Sequence, residues 1–308
     1  MADHGFAFLS QNTFMKAPAT SRHRRFAVAG VAWDGSVTNR PGARFGPDAI
    51  RRASHMLCDG THPYFDCSPL DQLTDLGDLA LPNTDLASMR AVLQAEVPEI
   101  LAAHHCCWLG GDHSITLPLL RAYRQHAGQP LALLHLDAHC DTWADHFGEP
   151  SGHGTWTREA IAEGLVDPAA TVQIGIRSAA EKYARDFVSD RGGLVLTARE
   201  LRGRESAEQL RDVITNIRRH LDGTRPTYLT LDIDCLDPAF APGTGTPEPG
   251  GLSTAQVLTL LESLADLPWI GMDCVEVSPP YDHAELTSNA AAHCVWTYLS
   301  GQAAKPLR

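Results

Sequence analysis

Three short segments of this 308-residue chain concentrate side chains that bind metals and move protons. They read Leu109-Gly110-Gly111-Asp112-His113-Ser114, Leu134-His135-Leu136-Asp137-Ala138-His139-Cys140-Asp141 and Leu231-Asp232-Ile233-Asp234-Cys235-Leu236-Asp237-Pro238. An extended chain turns successive side chains to opposite faces. Asp137, His139 and Asp141 are therefore expected to face one way, and so are Asp232 and Asp234. His113 adds a ligand from the first segment. The four carboxylates Asp137, Asp141, Asp232 and Asp234 repel one another at close range unless cations compensate. One divalent ion balances two of them, and two ions balance all. The pattern points to a dinuclear site, with metals about 3.5–4 Å apart bridged by carboxylate oxygens and a hydroxide. Mixed Asp and His ligation suits Mn²⁺, with Ni²⁺ the main alternative and Co²⁺ or Zn²⁺ further ones; metals that prefer thiolates lack a cysteine cluster. Each segment alone has a plainer reading: Asp112 or Ser114 as a helix cap, Asp232-Ile233-Asp234 as a loop boundary. Their co-occurrence favours the metal site.

These segments need rigid elements behind them. Short runs rich in Val, Ile and Leu predict strands over Phe26–Val31, Leu73–Gly77, His104–Leu109, Leu131–Asp137, Thr171–Ile176, Leu194–Thr197, Thr227–Asp234 and Trp269–Val277. Amphipathic stretches between them predict helices, among them Ala49–Leu57, Leu86–His104, Ser114–Gln125, Ala207–Leu221 and Thr254–Leu264. Pro47 and Asp48 suit a first helical turn, Ser253 with Gln256 reads as a capping box, and Pro98 is expected to kink or split its helix. The alternation argues for an α/β fold with a largely parallel sheet covered on both faces. In such sheets ligands collect at the carboxyl ends of the strands, where all three segments fall. With no low-complexity linker and no repeat, residues 26–308 read as a single catalytic domain behind an N-terminal extension, Met1 to Arg25.

Composition excludes several classes. Hydrophobic residues make up 44% and charged residues 20%, which suits a globular protein with a large core. A net charge of −12 argues against a nucleic-acid binder. No apolar run approaches the ~18 residues of a membrane span. The eight cysteines are scattered, with no C-x-x-C pair, so a reduced cytoplasmic protein is expected.

The motifs GGDHS (Gly110–Ser114), DAHCD (Asp137–Asp141) and DIDCLDPAFAPGTGTP (Asp232–Pro247), with the early loop Asn39 to Pro47, resemble the ureohydrolase family of arginases, agmatinases and other guanidino hydrolases. The agmatinase branch is the nearest likeness, and the resemblance runs from Phe26 to about Gln302. It implies a three-layer αβα fold with a sheet of about eight strands, a Mn²⁺ pair, and trimers or hexamers, with a hetero-oligomer also open. It implies His113, Asp137, His139, Asp141, Asp232 and Asp234 as metal ligands, Asp137 and Asp232 touching both ions and Asp141 lying beside the hydroxide. His153, in Gly152-His153-Gly154-Thr155, matches a mobile acid/base histidine, and Glu276 matches the glutamate that holds the guanidinium. His135 is expected to pack or to support the ligands. The implied reaction is hydrolysis of a small cationic guanidino compound to urea and an amine, with His153 protonating the departing nitrogen.

The substrate is less constrained. The loop Thr142 to Pro150 is shorter and more aromatic than the loop that holds free arginine in arginases, which favours an agmatine-like substrate; Asp145 or Glu149 is a candidate partner for a distal ammonium. Trp156 follows His-Gly-Thr where agmatinases commonly carry Met or Pro, and Trp33 also departs from the pattern. With both at the entrance, alongside Thr246 as a substrate contact, a shorter or N-alkylated guanidine becomes the alternative: guanidinobutyrate, guanidine or a biguanide such as metformin. A second rival is a non-catalytic subunit of a hetero-oligomer, although every implied ligand is retained.

Overall fold

The structure, a computed structural model, describes residues 12–19 and 24–306. Among these residues eight strands form one sheet: β1 (Phe26–Val31), β2 (Leu73–Asp78), β3 (His105–Gly110), β4 (Leu131–Leu136), β5 (Val166–Ile176), β6 (Leu194–Thr197), β7 (Thr227–Asp232) and β8 (Trp269–Val275). Their order is β2-β1-β3-β8-β7-β4-β5-β6, and every pairing is parallel. The helices are α1 (Gly46–Ser54), α2 (Leu86–Leu101), α3 (Thr116–Ala127), α4 (Trp156–Ala162), α5 (Lys182–Arg185), α6 (Ala198–Leu201), α7 (Arg211–Leu221), α8 (Thr254–Ser263) and α9 (Leu286–Ala303).

The period of two along each strand splits the core between two faces. Phe26 and Val28 of β1, Ala132, Leu134 and Leu136 of β4, and Leu229 and Leu231 of β7 pack with α1, α7, α8 and α9. Ala27, Ala29 and Val31, then Leu131 and Leu133, then Tyr228 pack with α2, α3 and α4. This is the three-layer αβα arrangement expected, and among the described residues no helix is long and apolar enough to cross a membrane.

Several expectations are corrected. Pro98 neither splits nor ends α2 on the spot; the helix runs three residues past it. So near the C-terminus, the hydrogen bond that proline forfeits lies in a turn about to fray. β5 begins at Val166, ahead of the expected Thr171, and a register shift against β4 between Leu131 and Leu133 accommodates Pro168. The long helix α9 was not expected because it is buried on nearly all sides and shows no apolar stripe. The N-terminal extension falls partly outside the described residues, but Phe14, Met15 and Ala17 are buried in the main core. Phe14 donates its backbone N–H to the buried Asp75 at 2.6 Å, which also takes a two-point contact from Arg51 at 2.8 and 3.0 Å.

Candidate metal centre

The four central strands, in the order β3-β8-β7-β4, deliver their carboxyl ends side by side. Beyond β3 the chain turns through Gly110-Gly111, where a side chain at Gly111 would meet the Trp33 carbonyl oxygen at 1.6 Å, so only glycine fits. Asp112 then caps the next turn, accepting from the Ser114 backbone N–H at 3.0 Å, and this sets the direction of His113. Asp232 is the last residue of β7, and its Oδ1 accepts from the Asp234 N–H at 2.8 Å within a tight 3₁₀ turn. β4 has already ended at Leu136, so Asp137, His139 and Asp141 lie in the following loop. They converge through that loop's own turns, with Asp141 at φ +51°, and not through strand alternation as expected. Arg177, which carried no sequence signal, donates to the carbonyls of Asp234, Leu236 and Glu248 and so fixes the loop that bears Asp234.

The six residues expected as ligands lie together. His113 Nδ1 lies 3.1 Å from Asp137 Oδ2, 3.2 Å from Asp141 Oδ2 and 3.1 Å from Asp232 Oδ2. His139 Nδ1 lies 3.3 Å from Asp137 Oδ1 and 3.0 Å from Asp234 Oδ2. Asp137 thus turns one oxygen to each histidine, whereas Asp232 turns only Oδ2 to His113. Ligand-type atoms of His113, His135, Asp137 and Asp141 fall within 4.8 Å of one another, and so do those of Asp137, His139 and Asp234.

Hydrogen-bond partners assign the ring protons. Thr230 Oγ1 donates to Asp273 at 2.5 Å, which leaves it as the acceptor for His113 Nε2–H at 2.8 Å. In the neutral ring, His113 Nδ1 is then the nitrogen that offers a lone pair; it is buried without a hydrogen-bond partner and faces three carboxylates. A divalent cation satisfies all four atoms, so the donor set fits a metal. His135 is different. Gln173 donates to the Cys140 carbonyl at 2.7 Å, which fixes its amide, and its second hydrogen goes to His135 Nδ1 at 3.0 Å. His135 therefore carries its proton on Nε2 and donates it to Asp137 Oδ2 at 2.7 Å.

Electrostatics agree. Burial, then the neighbouring Asp234 and Asp137, push the Asp232 carboxyl well above the usual carboxylate range. Burial works against a proton on His113, but Asp137, Asp141 and Asp232 override it and raise the ring well above its usual value. Positive charge is drawn to the point where the lone pair and the carboxylates meet.

Beside this cluster, His153 Nδ1 lies 2.9 Å from Glu276 Oε1, which also accepts the His113 backbone N–H at 2.9 Å. Glu276 sits at φ +63° and its Oε2 is buried without a partner. Burial disfavours charge on His153, but the hydrogen bond to Glu276 and the fields of Glu276, Asp112 and Asp141 raise it to about 9. Thr38, which sequence reasoning missed, serves either protonation state: its hydroxyl lies 2.8 Å from Nε2 and can accept from a charged ring, and its N–H, at 3.1 Å, can donate to a neutral one.

A cavity of about 360 Å³ opens over the cluster. Its walls include His113, His139, Asp141, His153, Asp232 and Thr246, with Trp143, Asp145, Phe147 and Tyr183 further out. Thr246 donates to Asp234 Oδ2 at 3.2 Å. Trp33 and Trp156 are not at the entrance. Their exposures are 2% and 0%, and Trp156 lies beneath the cluster. The aromatic rim comes from Trp143, Phe147 and Tyr183 instead. Tyr183, on the four-residue helix α5, had no motif to announce it.

A buried Asp/His cluster at the carboxyl edge of a parallel αβα sheet is the framework of a metal-dependent amidinohydrolase, and comparison with known proteins bears this out. The arginase family profile matches residues 24–300. An agmatinase of Chromobacterium violaceum is 44% identical over 271 residues, covering 87% of this chain and 80% of the relative. An agmatinase of Cronobacter sakazakii is 43% identical over 284 residues, 91% of this chain and 88% of its own. The solved structure of proclavaminate amidino hydrolase from Streptomyces clavuligerus superposes with a TM-score of 0.89 at 40% identity, over 97% of this chain and 99% of that one. The chain belongs to the arginase family, in its agmatinase-like branch.

Proposed function

We propose that this enzyme hydrolyses agmatine to urea and a diamine, using two divalent ions, Mn²⁺ before Ni²⁺. The observation that carries the choice of substrate is the charge of the outer cavity. Among the described residues lining it, Asp145 is the charged group away from the cluster, and there is no Lys or Arg. A guanidine with a cationic tail is attracted there, whereas arginine or guanidinobutyrate would bring a carboxylate to an acidic wall. The rim of Trp143, Phe147 and Tyr183 suits a methylene chain ending in an ammonium. With Trp33 and Trp156 buried, the case for a shorter or N-alkylated guanidine loses its basis.

His113, Asp137, Asp141 and Asp232 would hold one ion, and Asp137, His139 and Asp234 the other. When bound, such a pair lowers the pKa of water towards neutrality and supplies the nucleophile a guanidinium otherwise resists. Glu276 Oε2 is a buried anionic acceptor without a partner, able to hold the planar cation. Glu276 lies behind His153, which lines the cavity, so the guanidinium reaches it by displacing that ring. Released from Glu276, His153 carries its proton to the departing nitrogen, because an unprotonated amine anion leaves poorly. All eight cysteines are unpaired, which supports a reducing cytoplasmic setting.

Urea release across agmatine, guanidinobutyrate, guanidine and dimethylbiguanide, with Mn²⁺ or Ni²⁺, tests the reading. Agmatine should give the highest kcat/KM. Asp145→Asn should then raise KM for agmatine roughly 5–30-fold, about 1–2 kcal/mol, and leave tail-less guanidine untouched. Faster turnover of guanidinobutyrate, or an equal loss on both substrates, would overturn it.

A further inference from the structure

We propose that Trp156 is a positioning residue for the metal pair. Its indole N–H holds Asp141 Oδ2 where that oxygen reaches the ion shared with His113. The inference rests on the metal reading above. The indole Nε1 lies 2.6 Å from Asp141 Oδ2, and the same oxygen lies 3.2 Å from the lone-pair nitrogen of His113. The atom that faces the metal position is thus the atom the indole holds. The indole is fully buried, so its N–H has no solvent to bond and takes Asp141 as its acceptor.

Three features make this more than a tryptophan finding an acceptor. First, the ring lies 4.6 Å from that of His113 and 4.9 Å from that of His135, centroid to centroid. One side chain therefore packs against two histidines of the cluster and bonds a third group in it. Second, Asp141 is a non-glycine residue at φ +51°, a conformation that persists only where its surroundings enforce it. The enforcement comes from the segment that begins α4. The Asp141 carbonyl accepts from the N–H groups of Thr157 and Arg158 at 3.1 and 3.3 Å, and Trp156 grips the carboxylate. Backbone and side chain of Asp141 are set by one short stretch. Third, the donor is neutral. An Arg or Lys in its place would cancel the carboxylate's charge and compete with a cation, whereas an indole orients the oxygen and leaves its charge available.

The test deletes the N–H and keeps the shape. Trp156→Phe is the simple variant, and site-specific incorporation of 3-benzothienylalanine, which has sulfur where tryptophan has N–H, is the isosteric one and serves if the Phe variant folds poorly. Chelator-treated protein is titrated with Mn²⁺ against a competing indicator, and kcat and KM for agmatine are measured as Mn²⁺ is raised. Two ions should still bind, with the affinity of one weakened 10–100-fold. Added Mn²⁺ should recover kcat, and KM for agmatine should not move. Wild-type affinity for both ions in the benzothienyl protein would overturn the proposal, because shape alone would then suffice. Wild-type protein that takes up no pair of ions would overturn the metal reading itself, and it would do so before any variant is compared.

Discussion

Replacing Glu276 with Gln in metal-free protein should strip His153 of its proton across the neutral range. In this structure the ring is raised from 6.5 to about 9. Burial opposes that rise, and Glu276 leads the groups that drive it, through a 2.9 Å hydrogen bond between two buried side chains. The rise corresponds to on the order of 3 kcal/mol of interaction with the charged ring. A neutral amide leaves burial facing only the more distant Asp112 and Asp141, so His153 should titrate at or below 6.5. The sign of the linked stability follows. A ring whose folded pKa is raised stabilises the fold fully below about 6.5 and loses that contribution as pH climbs through about 9. Wild type should therefore lose on the order of 3 kcal/mol relative to Glu276→Gln over that window. The assay is a nitrogen-15 NMR titration of the His153 ring in both proteins, paired with urea denaturation at pH 6 and pH 9.5. A His153 that still titrates near 9 without the Glu276 charge would refute the reasoning, because the remaining charges would then suffice.

Other perturbations test the frame around the site. Chelation should lower the melting temperature, and saturating Mn²⁺ at about 1,000 times its Kd should restore on the order of 4 kcal/mol, or roughly 5–10 °C in calorimetry; an unchanged transition would contradict metal binding by the buried carboxylates. Gly111→Ala should destabilise the fold by more than ~3 kcal/mol in denaturant titration, since the added carbon meets the Trp33 carbonyl oxygen at 1.6 Å. Asp75→Ala should cost up to about 3 kcal/mol by breaking a buried ion pair and leaving Arg51 with the half-exposed Asp78 alone, and it should loosen the segment around Phe14, which proteolysis near that residue would reveal. Wild-type stability in either variant would count against the packing described.

The sheet and the metal cluster were legible in the sequence for one reason: both are written locally. Short apolar runs mark strands, and the clustered Asp and His residues sit within five residues of the strand ends, as at Asp137 to Asp141. What escaped is written across distance. Thr38 reaches His153 across 115 residues, and Gln173 reaches His135 across 38. Neither lies in a recognisable pattern, because a lone threonine or glutamine is ordinary anywhere. The two tryptophans show the opposite failure. Large aromatic residues close to a motif suggest a substrate contact, yet Trp156 opens a helix whose first turn bonds the Asp141 carbonyl, and its ring packs against His113 and His135. The direction of a side chain at a helix start depends on how the preceding loop enters, and here that loop passes through Asp141 at positive φ. No period in the sequence encodes such a turn.

Strand order is the other unwritten quantity, and it ties the two halves of the chemistry together. Because β8 lies between β3 and β7, Glu276 follows β8 into the same space as His113, 163 residues earlier. Its Oε1 then accepts from both the His113 backbone and the His153 ring. One carboxylate oxygen thus braces the His113 backbone and holds the His153 ring, while the other is buried without a partner. In the proposed reaction, a guanidinium drawing on Glu276 would weaken the hold on His153 at the moment its proton is needed. The same link means that removing Glu276 disturbs the loop carrying His113, so its effect on proton holding is cleanly read only where metal affinity plays no part.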